Sequence, residues 1–260
     1  MKAPDPIAFT IFGAEIRWYG ILIAFAFMLA ILIAYRRAPK FGIKSDSVLD
    51  FAIWLMPLSI IGARAYYVIF SWDQYAGDIG KILDIRSGGL AIHGGLIVGV
   101  ITACIFCRVK KIELLDLCDL IFPEVALGQA IGRWGNFFNS EAHGGPTDLP
   151  WAIEVDGEMV HPTFLYESIW CFIIFLFLIW FSGRRSFKGQ ILCLYGMLYS
   201  VERFLVEGLR TDSLMIGPLR QAQVISLVIF AVSATGYVYL SRRSSLNNKR
   251  VSEDDAHQEV

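Results

Sequence analysis

Charge is scarce in this sequence. Only 18% of its 260 residues are Asp, Glu, Lys or Arg, and the formal net charge is -1. A nucleic-acid partner would need a basic surface, and no basic excess exists to make one. Paired cysteines are missing too. The five thiols, Cys104, Cys107, Cys118, Cys171 and Cys193, are an odd set within or beside apolar stretches, so no disulfide framework is expected. Cys104 and Cys107 form a C-x-x-C inside an apolar run with no second ligand pair, which argues against zinc or redox chemistry. There is no G-x-x-x-x-G-K-[ST] loop for nucleotide phosphates and no G-x-S-x-G elbow for a serine hydrolase. Aspartates are not clustered as metal-dependent phosphatidyl transfer would require, and no internal repeat is visible. Neither a metal nor a cofactor is expected.

What abounds is apolar. Hydrophobic residues make up 55% of the chain, and the mean hydropathy is +0.53. A helix crossing a bilayer needs about 20 predominantly apolar residues. Trp18–Tyr35, Leu90–Cys107, Ser168–Gly183 and Ala222–Leu240 are nearly free of ionisable groups. Phe51–Phe70, Leu120–Phe138 and Ile191–Glu207 carry a few each. The expected fold is all-α, a polytopic membrane protein with about seven transmembrane helices over residues 1–243, as a single catalytic domain. The polar stretch 244–260 is expected to be a disordered cytoplasmic tail. The segment before the first span contains Asp5, Glu15 and two prolines, unlike the basic start of a cleaved signal peptide.

Lys and Arg mark cytoplasmic loops. Arg36, Arg37, Lys40 and Lys44 follow the first span, Arg108, Lys110 and Lys111 the third, and Arg184, Arg185 and Lys188 the fifth. Arg242, Arg243, Lys249 and Arg250 follow the last. The opposite loops hold only Lys2, Arg17, Lys81, Arg86, Arg210 and Arg220, so the N-terminus is placed outside and the C-terminus inside. The stretch Asn139–Pro162 has no Lys or Arg and is read as an irregular outer loop.

An ionisable group within a span is costly and points to function. With this topology Arg64, His93, Arg133, Glu167 and the Glu202–Glu207 segment, from five helices, lie at similar depth near the outer face. Each has a structural alternative. Arg64 can pair with a neighbouring carboxylate, Arg203 can pair with Glu207 four residues on, and His93 can be a packed histidine. Gly95 with Gly99, and Gly128 with Gly132, have the spacing that lets membrane helices approach closely. Asp116, Asp119 and Glu124 sit at the inner start of the fourth span and are read as acidic residues at a helix N-terminus. The densest constellation is Gly132–Gly145, which joins Arg133, Asn136, Asn139, Glu141 and His143 to glycines across a helix end. An arginine fork beside exposed backbone N–H groups suits a lipid phosphate.

At these residues the chain resembles the bacterial prolipoprotein diacylglyceryl transferase family over roughly Ile16–Leu240. The resemblance rests on Gly132-Arg133-Trp134-Gly135-Asn136-Phe137-Phe138-Asn139-Ser140-Glu141. It is supported by Arg17-Trp18-Tyr19-Gly20, Gly62-Ala63-Arg64, Gly88–Gly95, His161–Glu167 and Tyr199 through Arg203 to Glu207 and Arg210. It implies transfer of the diacylglyceryl group of phosphatidylglycerol to the thiol of the lipobox cysteine of a lipoprotein precursor, with glycerol phosphate leaving. It also implies a bacterial cytoplasmic (inner) membrane enzyme with its site towards the outer face. His93, Arg133 and Arg203 are the expected catalytic residues. Tyr19, Arg64, Gly94, Gly95, Asn136, Glu141, Gly144, Tyr199 and Glu207 are expected to bind substrate. Ser140 stands where glycine is frequent. Leu209 and Thr211 also depart from the family pattern, so Arg210 and Asp212 are not carried over. The short Gly145–Val160 segment implies a reduced protein-docking arm. The competing readings are another outer-face phospholipid enzyme and a small-solute transporter.

Overall fold

The computed structural model describes residues 4–85, 88–211 and 213–258, with side chains as far as residue 247. Lys2, Arg86 and Asp212, and the side chains of Lys249 and Arg250, lie outside the described residues. The chain is mostly helical: α1 (Trp18–Arg37), α2 (Ser45–Phe70), α3 (Ile79–Leu83), α4 (Ile92–Lys110), α5 (Leu114–Phe138), α6 (Thr163–Ser182), α7 (Gln190–Glu207) and α8 (Gln221–Gln258). Among the described residues five segments are long and apolar enough to cross a membrane: Trp18–Phe41, Ser45–Phe70, Ile92–Lys110, Thr163–Ser182 and Gln221–Asn247. The other two expected spans are helices as well, α5 and α7, but these two carry most of the charged residues discussed below.

Among the described residues three antiparallel hairpins depart from an all-α fold: β1 (Ile7–Ile11) with β2 (Ala14–Arg17), β3 (Ile153–Val155) with β4 (Glu158–Val160), and β5 (Met215–Ile216) with β6 (Leu219–Arg220). Each turns through two residues. Phe12-Gly13 and Asp156-Gly157 have positive φ at both positions, which gives the primed turn that matches strand twist. The stretch read as irregular loop is therefore partly ordered. Ile153, Val155 and Val160 bury their side chains with Phe137 and Phe164.

The chain divides into two compact units, Ala34–Leu117 and the remainder, with boundaries inside α1 and α5. In the smaller unit α2 packs on α4 through glycine. A Cβ at Gly94 would overlap the Gly62 carbonyl, and Gly95 and Gly99 face Ser59. In the larger unit the core is Ala126 and Leu127 of α5, Ile174, Phe175 and Leu178 of α6, and Ile191 and Tyr195 of α7.

Asp119 does more than begin α5. It is fully buried and accepts hydrogen bonds from the backbone N–H groups of Gly189 (2.7 Å) and Leu192 (3.0 Å), with Arg185 Nη1 at 3.0 Å. A carboxylate on one helix thus caps the start of another, α7. Asp119→Ala strands two backbone donors and removes a buried charge partner. We expect a loss of about 2–4 kcal/mol, read as a fall in Tm in detergent.

Candidate active site

Three helices of the larger unit, α5, α6 and α7, bring their charged residues together. Glu167, in the second turn of α6, is 1% exposed, and its two oxygens face two arginines. Oε2 lies 2.5 Å from Arg133 Nη2, and Oε1 lies 3.2 Å from Arg203 Nη1. Arg210 Nη1, just beyond α7, is 3.8 Å from the same Oε1. Glu207 continues the chain of charge, with Oε2 at 2.5 Å from Arg203 Nη2 and 4.0 Å from Arg210 Nε. Ser213 Oγ donates to Glu207 Oε1 at 2.6 Å, and the Arg220 guanidinium donates to the Glu207 carbonyl. The i,i+4 pair of Arg203 and Glu207 forms as its spacing predicts.

A buried ion pair stabilises only when its geometry is good and its remaining hydrogen-bonding groups are satisfied. Here one carboxylate orders arginines from different elements, whose side chains remain partly exposed at 22% for Arg133 and 18% for Arg203. Such arginines present fixed N–H groups without the reorganisation that a mobile side chain would require. Tyr199, one turn before Arg203, stacks on Tyr195 at 5.6 Å and lies in electrostatic range of both arginines.

The end of α5 holds the second part. Asn136 Nδ2 and Asn139 Nδ2 both donate to Glu141 Oε1, at 2.9 and 3.2 Å, and the Glu141 N–H donates to the Asn136 carbonyl at 3.0 Å. This knot requires positive φ at Ser140 (52°) and Ala142 (58°), the region glycine enters at least cost. It gives a reason why glycine would suit position 140. Gly144 donates to His161 O and Gly145 to Leu209 O, each at 3.0 Å, so the glycine run pairs with the chain on either side. Gly135 leaves room for Tyr19, whose ring a Cβ at that position would overlap.

The remaining expected site residues belong to the smaller unit. His93 is exposed in the first turn of α4, with its ring 6.0 Å from that of Tyr66. Gly94 and Gly95 face α2. Arg64 is buried and, among the described residues, donates to four backbone carbonyls and to no carboxylate, against the expected carboxylate pairing.

Three residues have no individual role in the sequence reading. Glu167 closes a motif but was assigned no role, although it is the centre of the cluster. Arg210 was set aside, and it joins the same carboxylate. Glu202 is 1% exposed on α7, and neither of its oxygens has a hydrogen-bond partner among the described residues. It lies within electrostatic range of Glu167, Arg133 and Arg203. The available signal was the cost of a carboxylate inside a predicted span.

Comparison with known proteins gives a single answer. Residues 6–239 match the family model described as prolipoprotein diacylglyceryl transferase. A phosphatidylglycerol–prolipoprotein diacylglyceryl transferase of Clostridioides difficile (strain 630) is 52% identical over 96% of this chain and 100% of its own length. A protein of the same name from Finegoldia magna is 54% identical over 86% of this chain and 91% of its own. Another from Clostridium novyi (strain NT) is 48% identical over 94% of this chain and 98% of its own. With the match running through every helix that carries the charge cluster, the chain belongs to the prolipoprotein diacylglyceryl transferase family.

Proposed function

We propose that this protein is a transferase of lipoprotein biosynthesis that moves the diacylglyceryl group of phosphatidylglycerol onto the thiol of the lipobox cysteine of a lipoprotein precursor. The carrying observation is the Arg133–Glu167–Arg203 cluster within a chain of this family. The thiolate sulfur attacks the glyceryl carbon bonded to the phosphate oxygen. A carbon–sulfur bond forms, the carbon–oxygen bond breaks, and its electron pair leaves on the phosphate of the departing glycerol phosphate. Negative charge therefore grows on phosphate, and Arg133 and Arg203 stabilise it with N–H groups already set in place. Free thiols with pKa about 8.5 are mostly protonated at neutral pH, so a base is needed, and His93 takes the proton. Asn136, Glu141 and Gly144 shape the headgroup end of the site, Tyr19 and Tyr199 line it, and Glu207 orients Arg203.

The membrane arrangement belongs to the same proposal. Residues 1–243 act as one catalytic domain of seven spans in the bacterial inner membrane, with the N-terminus and the site on the outer side. The segment from 244 onward extends into the cytoplasm. Two further helices, α5 and α7, at the remaining predicted spans support this count.

The test is mass transfer in detergent micelles. Purified protein is mixed with phosphatidylglycerol and a lipobox peptide, with a cysteine-to-serine peptide and phosphatidylcholine micelles as controls. A diacylglyceryl increment on the cysteine peptide, in phosphatidylglycerol only, is the expected result. Phosphatidylglycerol consumed without peptide would point to another lipid enzyme. No lipid turnover at all, with an active reference enzyme alongside, would favour transport.

A further inference from the structure

Three consecutive residues of α2 each hold a different part of the turn that leads into His93. Gly62 meets Gly94 so closely that a Cβ on either would overlap the other's backbone. The Ala63 carbonyl accepts the N–H of Ala91, which caps α4, at 3.1 Å. The Arg64 guanidinium reaches back along the same segment. Its Nη1 donates to the carbonyls of Gly88 (2.7 Å) and Gly89 (2.9 Å), its Nη2 to Lys81 O (2.6 Å) and its Nε to Ile82 O (2.9 Å). The Tyr75 ring lies 4.9 Å under the guanidinium carbon. Gly88 and Gly89 have φ of 92° and 74°, values open to glycine, and this backbone turns both carbonyls onto Nη1.

An arginine has five N–H donors. Arg64 directs donors at four backbone carbonyls and is only 6% exposed. Little of its fork remains for a phosphate. We propose that Arg64, with Gly62 and Ala63, is a positioning element that fixes the place and orientation of His93, and that Arg64 is not a ligand of the lipid. The inference rests on the reading of His93 as the base only for its kinetic consequence, since the positioning itself can be seen without activity.

The experiment uses the whole protein in micelles with isotope-labelled histidine. The chain has four histidines, and His93→Gln identifies the His93 ring signals. In Arg64→Lys, which cannot reproduce the planar fork, the His93 signals are expected to shift or broaden while those of His143 and His161 stay in place. Transfer should fall about 10- to 100-fold in kcat with KM for phosphatidylglycerol held within about 2-fold. Gly88→Ala disturbs the same contacts from the carbonyl side. It should move the same His93 signals, and it serves as the test if Arg64→Lys does not fold. Unmoved His93 signals in a folded variant overturn the inference whatever the kinetics. A raised KM with unchanged kcat overturns it in favour of a lipid ligand. Full activity of His93→Gln would sink the base reading alone and leave the positioning result standing.

Discussion

Arg133→Lys is expected to lower the rate of diacylglyceryl transfer about 10²- to 10³-fold, with the protein still folded. Lysine keeps the positive charge, so a purely electrostatic role would survive the change. The geometry requires more than charge. Arg133 already commits Nη2 to Glu167 at 2.5 Å, and a planar fork can hold that carboxylate while other N–H groups meet a phosphate oxygen. An ammonium on a flexible stem cannot do both in fixed directions. The measurement is the initial rate of mass gain on a lipobox peptide, with Tm recorded on the same preparation. A rate within a few fold of wild type would show that position 133 contributes charge alone.

Glu167→Gln is the second large effect. Glutamine has nearly the same shape, yet it leaves Arg133 and Arg203 without the anion that sets their spacing. Breaking a buried pair by removing one partner costs about 3–5 kcal/mol, so Tm should fall clearly. Activity should fall about 100-fold or more even at temperatures where the variant is folded, because displaced arginines no longer match the developing charge. Supplying more phosphatidylglycerol should not restore it. An unchanged Tm with normal turnover would mean that the arginines are ordered by other groups, with Glu207 the first candidate.

The sequence was informative where chemistry follows local spacing. Apolar blocks marked the helices, and the i,i+4 separation of Arg203 and Glu207 announced their ion pair. The knot at Asn136 and Glu141 lies within one short motif and was legible as a unit. Spacing says nothing about partners on different helices. Arg133 and Glu167 are joined only because α5 and α6 pack side by side, so a central carboxylate looked like one more costly residue in a span. Asp119 was hidden for the same reason, since the backbone donors that it caps begin 70 residues later. The Asp156-Gly157 turn was within reach. An Asp-Gly pair between Ile153–Val155 and Glu158–Val160 is a strong hairpin signal, but Gly144, Gly145, Pro146 and Pro150 just before it carry the signature of an irregular loop.

The capping of α7 by Asp119 has a mechanical side. An α-helix of 18 residues is a stiff rod about 27 Å long. Asp119 grips one end, and Glu207, with Arg220 and Ser213, grips the other. A rod pinned at both tips does not bend to absorb a disturbance; a push on one tip is carried along the axis and loads the contacts at the other. A peptide tag or an antibody wedge inserted between Ser186 and Gly189 would thus push on one tip. It would load the Arg203 contacts from the opposite end of the helix, so that loop is the wrong place for a label meant to be silent.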